Sequence, residues 1–215
     1  MIGGLHVASA VSSGSPWLGI PTRIGGSSVL YFQSEVPPPL LQVRAKKIFE
    51  LGRLDGVNRQ KVWFWYEPTL KLDTPYGISQ IAEKLNHYRP DVFIIDPLYK
   101  SLSGQMSDQQ SVTVILDTLD NMIATFGCSV ILISHARKEN LEKKEVSDAT
   151  DDLLGSMLFS GWPDTVLKVQ RGGASRLVVV RFDILRHAER DLRPVQLEVT
   201  EDLYFLVKVP ELVEE

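Results

Sequence analysis

Two short apolar runs constrain this chain more than anything else in it. They are Asp91-Val92-Phe93-Ile94-Ile95-Asp96-Pro97 and Ser129-Val130-Ile131-Leu132-Ile133-Ser134-His135. Each is unbroken by polar residues, too short for a buried helix, and stops on side chains that carry chemistry. That pattern reads as a strand covered on both faces. Between them, Ser111 to Phe126 places Val112, Ile115, Leu116, Leu119, Met122 and Ile123 on one helical face. Strand, amphipathic helix, strand is a crossover unit, and its strands run parallel. Open sheets of this kind bind ligands beyond the carboxyl ends of their strands. Asp96 and His135 therefore stand at two strand tips facing one crevice.

The rest of the chain fits the same plan. Residues 3–13 are small and apolar and predict a helix, broken by Gly14-Ser15-Pro16. Glycines and prolines through residue 27 predict a loop or hairpin. Ser28 to Gln33 predicts a strand ending at Ser34-Glu35. Pro37-Pro38-Pro39 then leads stiffly into a helix from about Leu40 to Leu51. Lys61 to Tyr66 is an aromatic-rich strand, and Ile78 to His87 a helix. Residues 136–152 are charged and polar and read as a mobile loop, followed by a short helix over 152–159. Strands at 164–170, 176–184, 194–199 and 203–208 close the chain, with Gly172-Gly173 as the first turn. The fold class is α/β: one domain over residues 1–215, a mostly parallel twisted sheet flanked by helices, and an antiparallel C-terminal edge over 164–210.

Composition narrows the classes of function. A net charge of −4 gives no global attraction to nucleic acid or anionic membranes, so any such contact must be local. The single Cys128 excludes a disulfide framework and fits a cytoplasmic protein. No apolar run is long enough to span a bilayer, and the start does not read as a secretory leader.

Several residue types stand where chemistry needs them. Asp96 at a strand tip suits Mg²⁺, held directly or through water. An Asp-Pro pair also caps strands and opens turns for purely structural reasons. Glu35 at the tip of the preceding strand could take a proton from a water molecule, or be an ordinary loop acid. His135 and Ser134 could bond a phosphate, or simply end a strand in solvent. Arg137 and Lys138 could touch phosphate or belong to a solvated face. Arg186 and Arg190 flank a charged turn, where an arginine can reach a neighbouring subunit's site or merely protect a sheet edge.

The order of these segments resembles the RecA-type hexameric ATPases of the RepA-like replicative-helicase group, and more distantly the DnaB and RadA cores. VLYFQSE is similar to the strand carrying their catalytic glutamate, here Glu35. Arg44 lies on the next helix, where the group often has an arginine. VFIIDPL resembles their Walker B strand, with Asp96 as the magnesium acid, and ILISHARK resembles their γ-phosphate-sensing motif, with His135 as sensor. LLGSMLFSGWPDTVLKV and ILRHAE resemble later segments of the same group. The resemblance implies ATP and Mg²⁺ as cofactors. It implies a homo-oligomeric ring, such as a hexamer, and translocation on single-stranded DNA. It gives Arg186 or Arg190 a role in trans. Arg137, Lys138, Lys143 and Lys144 become the DNA contacts of the 136–152 loop, weak and salt-sensitive because that loop is acid-rich.

The departure is the Walker A motif. GxxxxGK[ST] occurs nowhere in the 215 residues, and neither does the strand that precedes it in the group. Met1 aligns near the motif's last residue, so the expected sheet lacks its first strand and P-loop. A misassigned or cut start and a shortened, non-catalytic relative both account for this. Gly3-Gly4 reads as close helix packing rather than a substitute loop. The expectations are weak ATP binding, a gap in the sheet beside the strand ending in Asp96, and oligomerisation or modest stability to cover it. The alternative function is a RecA-fold assembly subunit without catalysis.

Overall fold

The computed structural model describes residues 2–51, 61–105, 108–135, 161–173, 175–189, 192–203 and 205–208. The expected loop at 136–152 and helix at 152–159 lie outside them. The chain divides into two compact units, residues 1–162 and 163–215.

The first unit runs α1 (Ile2–Ser13), β1 (Val29–Gln33), α2 (Pro38–Leu51), β2 (Val62–Tyr66), α3 (Pro75–Tyr88), β3 (Val92–Asp96), a 3-10 turn (Tyr99–Ser101), α4 (Gln109–Phe126) and β4 (Ser129–Leu132). The strands form one parallel sheet in the order β2-β1-β3-β4. In register, Gln33 pairs with Asp96 and Tyr31 with Ile94.

This sheet is covered on both faces, as unbroken apolar strands require. Leu30, Phe32, Phe93 and Ile95 point to one side and pack with Ile81 and Leu85 of α3 and Ile115, Leu116 and Leu119 of α4. Each such side chain contributes about 1.5–3 kcal/mol by leaving water. Tyr31 and Ile94, one residue out of phase, face the other side and are also fully buried. On that side α1 packs against β1, β3 and α2.

The helix ends follow local chemistry. Thr74 caps α3 by accepting from the Gly77 N–H at 3.1 Å, and Pro75 supplies a first position that needs no hydrogen bond. The helix stops at Arg89, in the left-handed region, just before Pro90. Asp108 caps α4, and Gly127 ends it with a φ of 66°. No described helix is long and apolar enough to cross a membrane.

One expectation is corrected here. The sheet has no gap beside the strand ending in Asp96, because β3 is paired on both sides, by β1 and β4. The outer strands are β2 and β4. Chain order alone could not say which strand is central, since parallel strands pair according to where their crossover helices pack.

The second unit holds the expected antiparallel strands, paired among themselves in a sheet of their own. They are β5 (Thr165–Arg171), β6 (Leu177–Leu185), β7 (Val195–Val199) and β8 (Phe205–Lys208), in that spatial order. The Gly172-Gly173 turn closes with the Gly172 N–H on the Leu177 carbonyl at 2.7 Å. Val166, Val180 and Leu197 are its buried centre.

Candidate functional site

The carboxyl ends of β1, β3 and β4 bring four of the sequence-predicted residues, Glu35, Asp96, Ser134 and His135, into one region. Asp96 ends β3 and is 2 % exposed. The buried phenol of Tyr31 donates a short hydrogen bond to its Oδ2. Burial, and then the negative charge of Asp96, push the Tyr31 phenol far above its ordinary value, so it stays a donor at any physiological pH. Gly4, in the first turn of α1, lies over this pair. A Cβ there would stand 2.5 Å from the Tyr31 hydroxyl and 3.4 Å from Asp96 Oδ2, and would collide with Ile133. The close packing expected of Gly3-Gly4 holds for Gly4, which lets the amino-terminal end of α1 come down onto Asp96, but not for Gly3, where an added Cβ would meet nothing within 4 Å.

Glu35 follows β1. Its backbone N–H donates to Gln33 Oε1 at 2.7 Å, and the Val36 N–H donates to the same oxygen at 3.1 Å. Two N–H donors fix which end of that carboxamide is the oxygen. Gln33 is fully buried, and its Nε2 has no hydrogen-bond partner among the described residues. The Glu35 carboxylate reaches outward. Its Oε2 lies 3.9 Å from His135 Nε2, and its Oε1 accepts from the Tyr99 hydroxyl at 3.2 Å. The Tyr99 and His135 rings are tilted, with centroids 5.5 Å apart. His135 lies beyond the end of β4 at Leu132 and is 69 % exposed at its side chain, so it follows the strand rather than closing it. Ser134 beside it is partly buried.

Three loops hold this end of the sheet together. The Ser101 hydroxyl donates to the Pro97 carbonyl at 3.0 Å and meets the Ser34 hydroxyl at 3.2 Å. The Leu72 N–H reaches the Ser101 carbonyl at 2.7 Å, and Lys71 Nζ the Lys100 carbonyl at 2.7 Å. Asp73 accepts from the backbone and hydroxyl of Ser103. Neither Gln33 nor Tyr99 stands out in the sequence. A buried amide at a strand tip and a tyrosine three residues past Asp96 were the only signals, and both are ambiguous without the loop geometry.

Of the remaining candidates, Arg186 and Arg44 are among the described residues. Arg186 follows β6 in the second unit, with its N–H on the Asp164 carbonyl at 2.9 Å, and the neighbouring His187 lies 3.2 Å from the Asp164 carboxylate. Arg190, Arg137, Lys138, Lys143 and Lys144 lie outside the described residues. Arg44 is partly buried on α2.

Magnesium fits this arrangement. One carboxylate supplemented by phosphate oxygens and water is a usual Mg²⁺ environment, and Asp96 is a hard oxygen donor of that kind. Among the described residues no cluster of three or more histidine, cysteine or acidic side chains offers an all-protein cage. Bound there, Mg²⁺ would neutralise phosphate charge. Asp96 would hold it, with Tyr31 fixing the carboxylate's orientation.

A family model described as an AAA domain matches residues 4–140, more than half of the chain. No curated protein matches the sequence. Among solved structures, one described as an ATPase domain superposes with a TM-score of 0.61 at 14 % identity, covering 83 % of this chain and 74 % of that one. A DnaB-like replicative helicase, described with its interactions with primase, gives 0.60 at 14 % identity, covering 83 % of this chain and 50 % of that one. The chain therefore spans about half that helicase's length. The KaiC-like protein PH0186 from Pyrococcus horikoshii OT3 gives 0.58 at 13 % identity, covering 97 % and 85 %. Together with the strand-tip geometry, these findings mean that the chain belongs to the AAA domain family and has the RecA-type fold of DnaB-like helicase ATPase domains.

Proposed function

We propose that residues 1–215 are the ATPase core of a cytoplasmic, ring-forming motor that moves on single-stranded DNA in replication or recombination. One observation carries the reading: Glu35 and His135 meet at 3.9 Å, one strand tip away from buried Asp96. In this reading Glu35 takes a proton from water, Asp96 holds Mg²⁺, and Ser134 and His135 meet the γ-phosphate. Arg186 or Arg190 acts on a neighbouring subunit's nucleotide, and Arg137, Lys138, Lys143 and Lys144 contact DNA phosphates. As the proton passes to Glu35, the water oxygen bonds the γ-phosphorus and the bond to the β-phosphate oxygen breaks, leaving ADP and phosphate.

The 215 residues contain no GxxxxGK[ST], whose backbone N–H groups and lysine grip phosphates. By themselves they are expected to bind ATP weakly and turn it over negligibly. The second reading is an assembly subunit that uses the RecA-type shape without catalysis. A fluorescent ATP analogue titrated with Mg²⁺ onto this chain, and onto a version carrying a GxxxxGKS loop and its strand, separates the two. Binding restored by the loop supports the ATPase core. Binding by neither version supports the assembly subunit. Tight binding by the 215 residues alone would overturn this account of the phosphate site.

A further inference from the structure

We infer that Tyr99 is the positioning residue for Glu35: it occupies Oε1 and leaves Oε2, the oxygen facing His135, as the one that accepts a proton. The inference rests on the reading of Glu35 as the base.

The two Glu35 oxygens have different neighbours. Oε1 takes the Tyr99 hydroxyl at 3.2 Å, and Oε2 faces His135 Nε2 at 3.9 Å. An exposed side-chain contact of this kind is ordinarily worth little, because both partners wander. Here both partners rise from fixed backbone. The N–H of Glu35 is tied to the fully buried Gln33. Tyr99 opens a 3-10 turn whose Ser101 is buried and bonded to Pro97, Ser34 and Leu72. Lys71 ties down the next carbonyl, at Lys100. The contact is therefore held at its roots, which is what orients a reacting group. The Tyr99 ring also lies against His135, so one side chain touches both of the residues proposed to handle water and phosphate. A tyrosine is suited to this task. Its hydroxyl donates to a carboxylate without adding a charge, and its ring packs on an imidazole in either protonation state.

The test is NMR on the 215-residue chain without nucleotide, following the ring carbon of Tyr99 across alkaline pH. Desolvation and the adjoining Glu35 carboxylate hold the Tyr99 phenol above its ordinary value. Glu35→Gln is expected to lower the Tyr99 midpoint toward that of a tyrosine without a charged neighbour. Tyr99→Phe is expected to move the Glu35 carboxyl carbon signal while leaving the His135 ring protons in place. Tyr99→Leu should move both, because the ring is lost as well. Both side chains are more than a third exposed, so folding should survive these changes. An unchanged Tyr99 midpoint in Glu35→Gln, or an unmoved Glu35 signal in Tyr99→Phe, would overturn the inference. The ATP titration tests the nucleotide reading separately. Failure to bind nucleotide beside a responsive Tyr99 would sink that reading and leave the Tyr99–Glu35 pair standing.

Discussion

The phenol of Tyr31 donates to the carboxylate of Asp96, and both groups are buried beneath the first turn of α1. They sit on neighbouring strands, and the partner of Asp96 in register is not Tyr31 but Gln33. The hydrogen bond is a diagonal one, two residues back along β1. Tyr31→Phe keeps the ring and removes this donor. It should cost about 1–3 kcal/mol in urea unfolding, the usual penalty for depriving a buried polar group of a partner. An unchanged midpoint would mean that Asp96 finds a substitute donor at no cost.

Gln33 makes a second separable contribution. Gln33→Leu preserves much of the volume and strips the acceptor from the N–H groups of Glu35 and Val36. A loss of about 2 kcal/mol is expected, since one buried and one part-buried donor are left unpaired. Hydrogen exchange at those two amides should accelerate beyond the change in global stability. Exchange that tracks global stability alone would show that Gln33 does not hold Glu35.

Gly77 is required by space rather than by backbone angle. A Cβ there would run into the Lys71 carbonyl and stand 2.8 Å from Leu72 Cα, both backbone atoms with nowhere to go. Gly77→Ala should destabilise the fold by about 3 kcal/mol despite adding a better helix former. Calorimetry reads this directly, and a neutral result would mean that the loop preceding α3 moves freely.

The opposite end of the sheet predicts a pH dependence. Asp91 accepts from the N–H and hydroxyl of Ser28, each at 2.7 Å, and lies 3.3 Å from Arg23. These hydrogen bonds, above all that from the Ser28 backbone, hold its carboxyl below the usual range. A lowered folded value means that the unfolded chain takes up the proton first. The contribution is complete above the unfolded value of about 4 and is lost as pH falls through the folded value. Asp91 is about half exposed, so solvent screens it and the total should stay near roughly 1 kcal/mol. Asp91→Asn should weaken the fold at neutral pH and match the parent at strongly acid pH. Curves for the two proteins that stay parallel throughout would rule out this role for Asp91.

The sequence by itself determined the α/β class, each described strand and helix of the first unit to within a few residues, and the placing of Asp96 at a strand tip, with Glu35 and His135 following theirs by two and three residues. Those features are written in local periodicity, in proline and glycine breaks, and in where apolar runs stop on polar residues. Of the Gly3-Gly4 pair read as close packing, only Gly4 is a packing glycine. The tertiary structure decided what lies beside what. Chain order does not say which parallel strand is central, so β3 proved to be flanked on both sides while β4 stood at an edge. The four C-terminal strands paired with one another, because antiparallel hairpins satisfy their hydrogen bonds locally. Tyr99 joins Glu35 across 64 residues, through loops fixed by Ser101, Leu72 and Lys71. No periodicity encodes such contacts. They exist only once the sheet has brought the ends of its strands together.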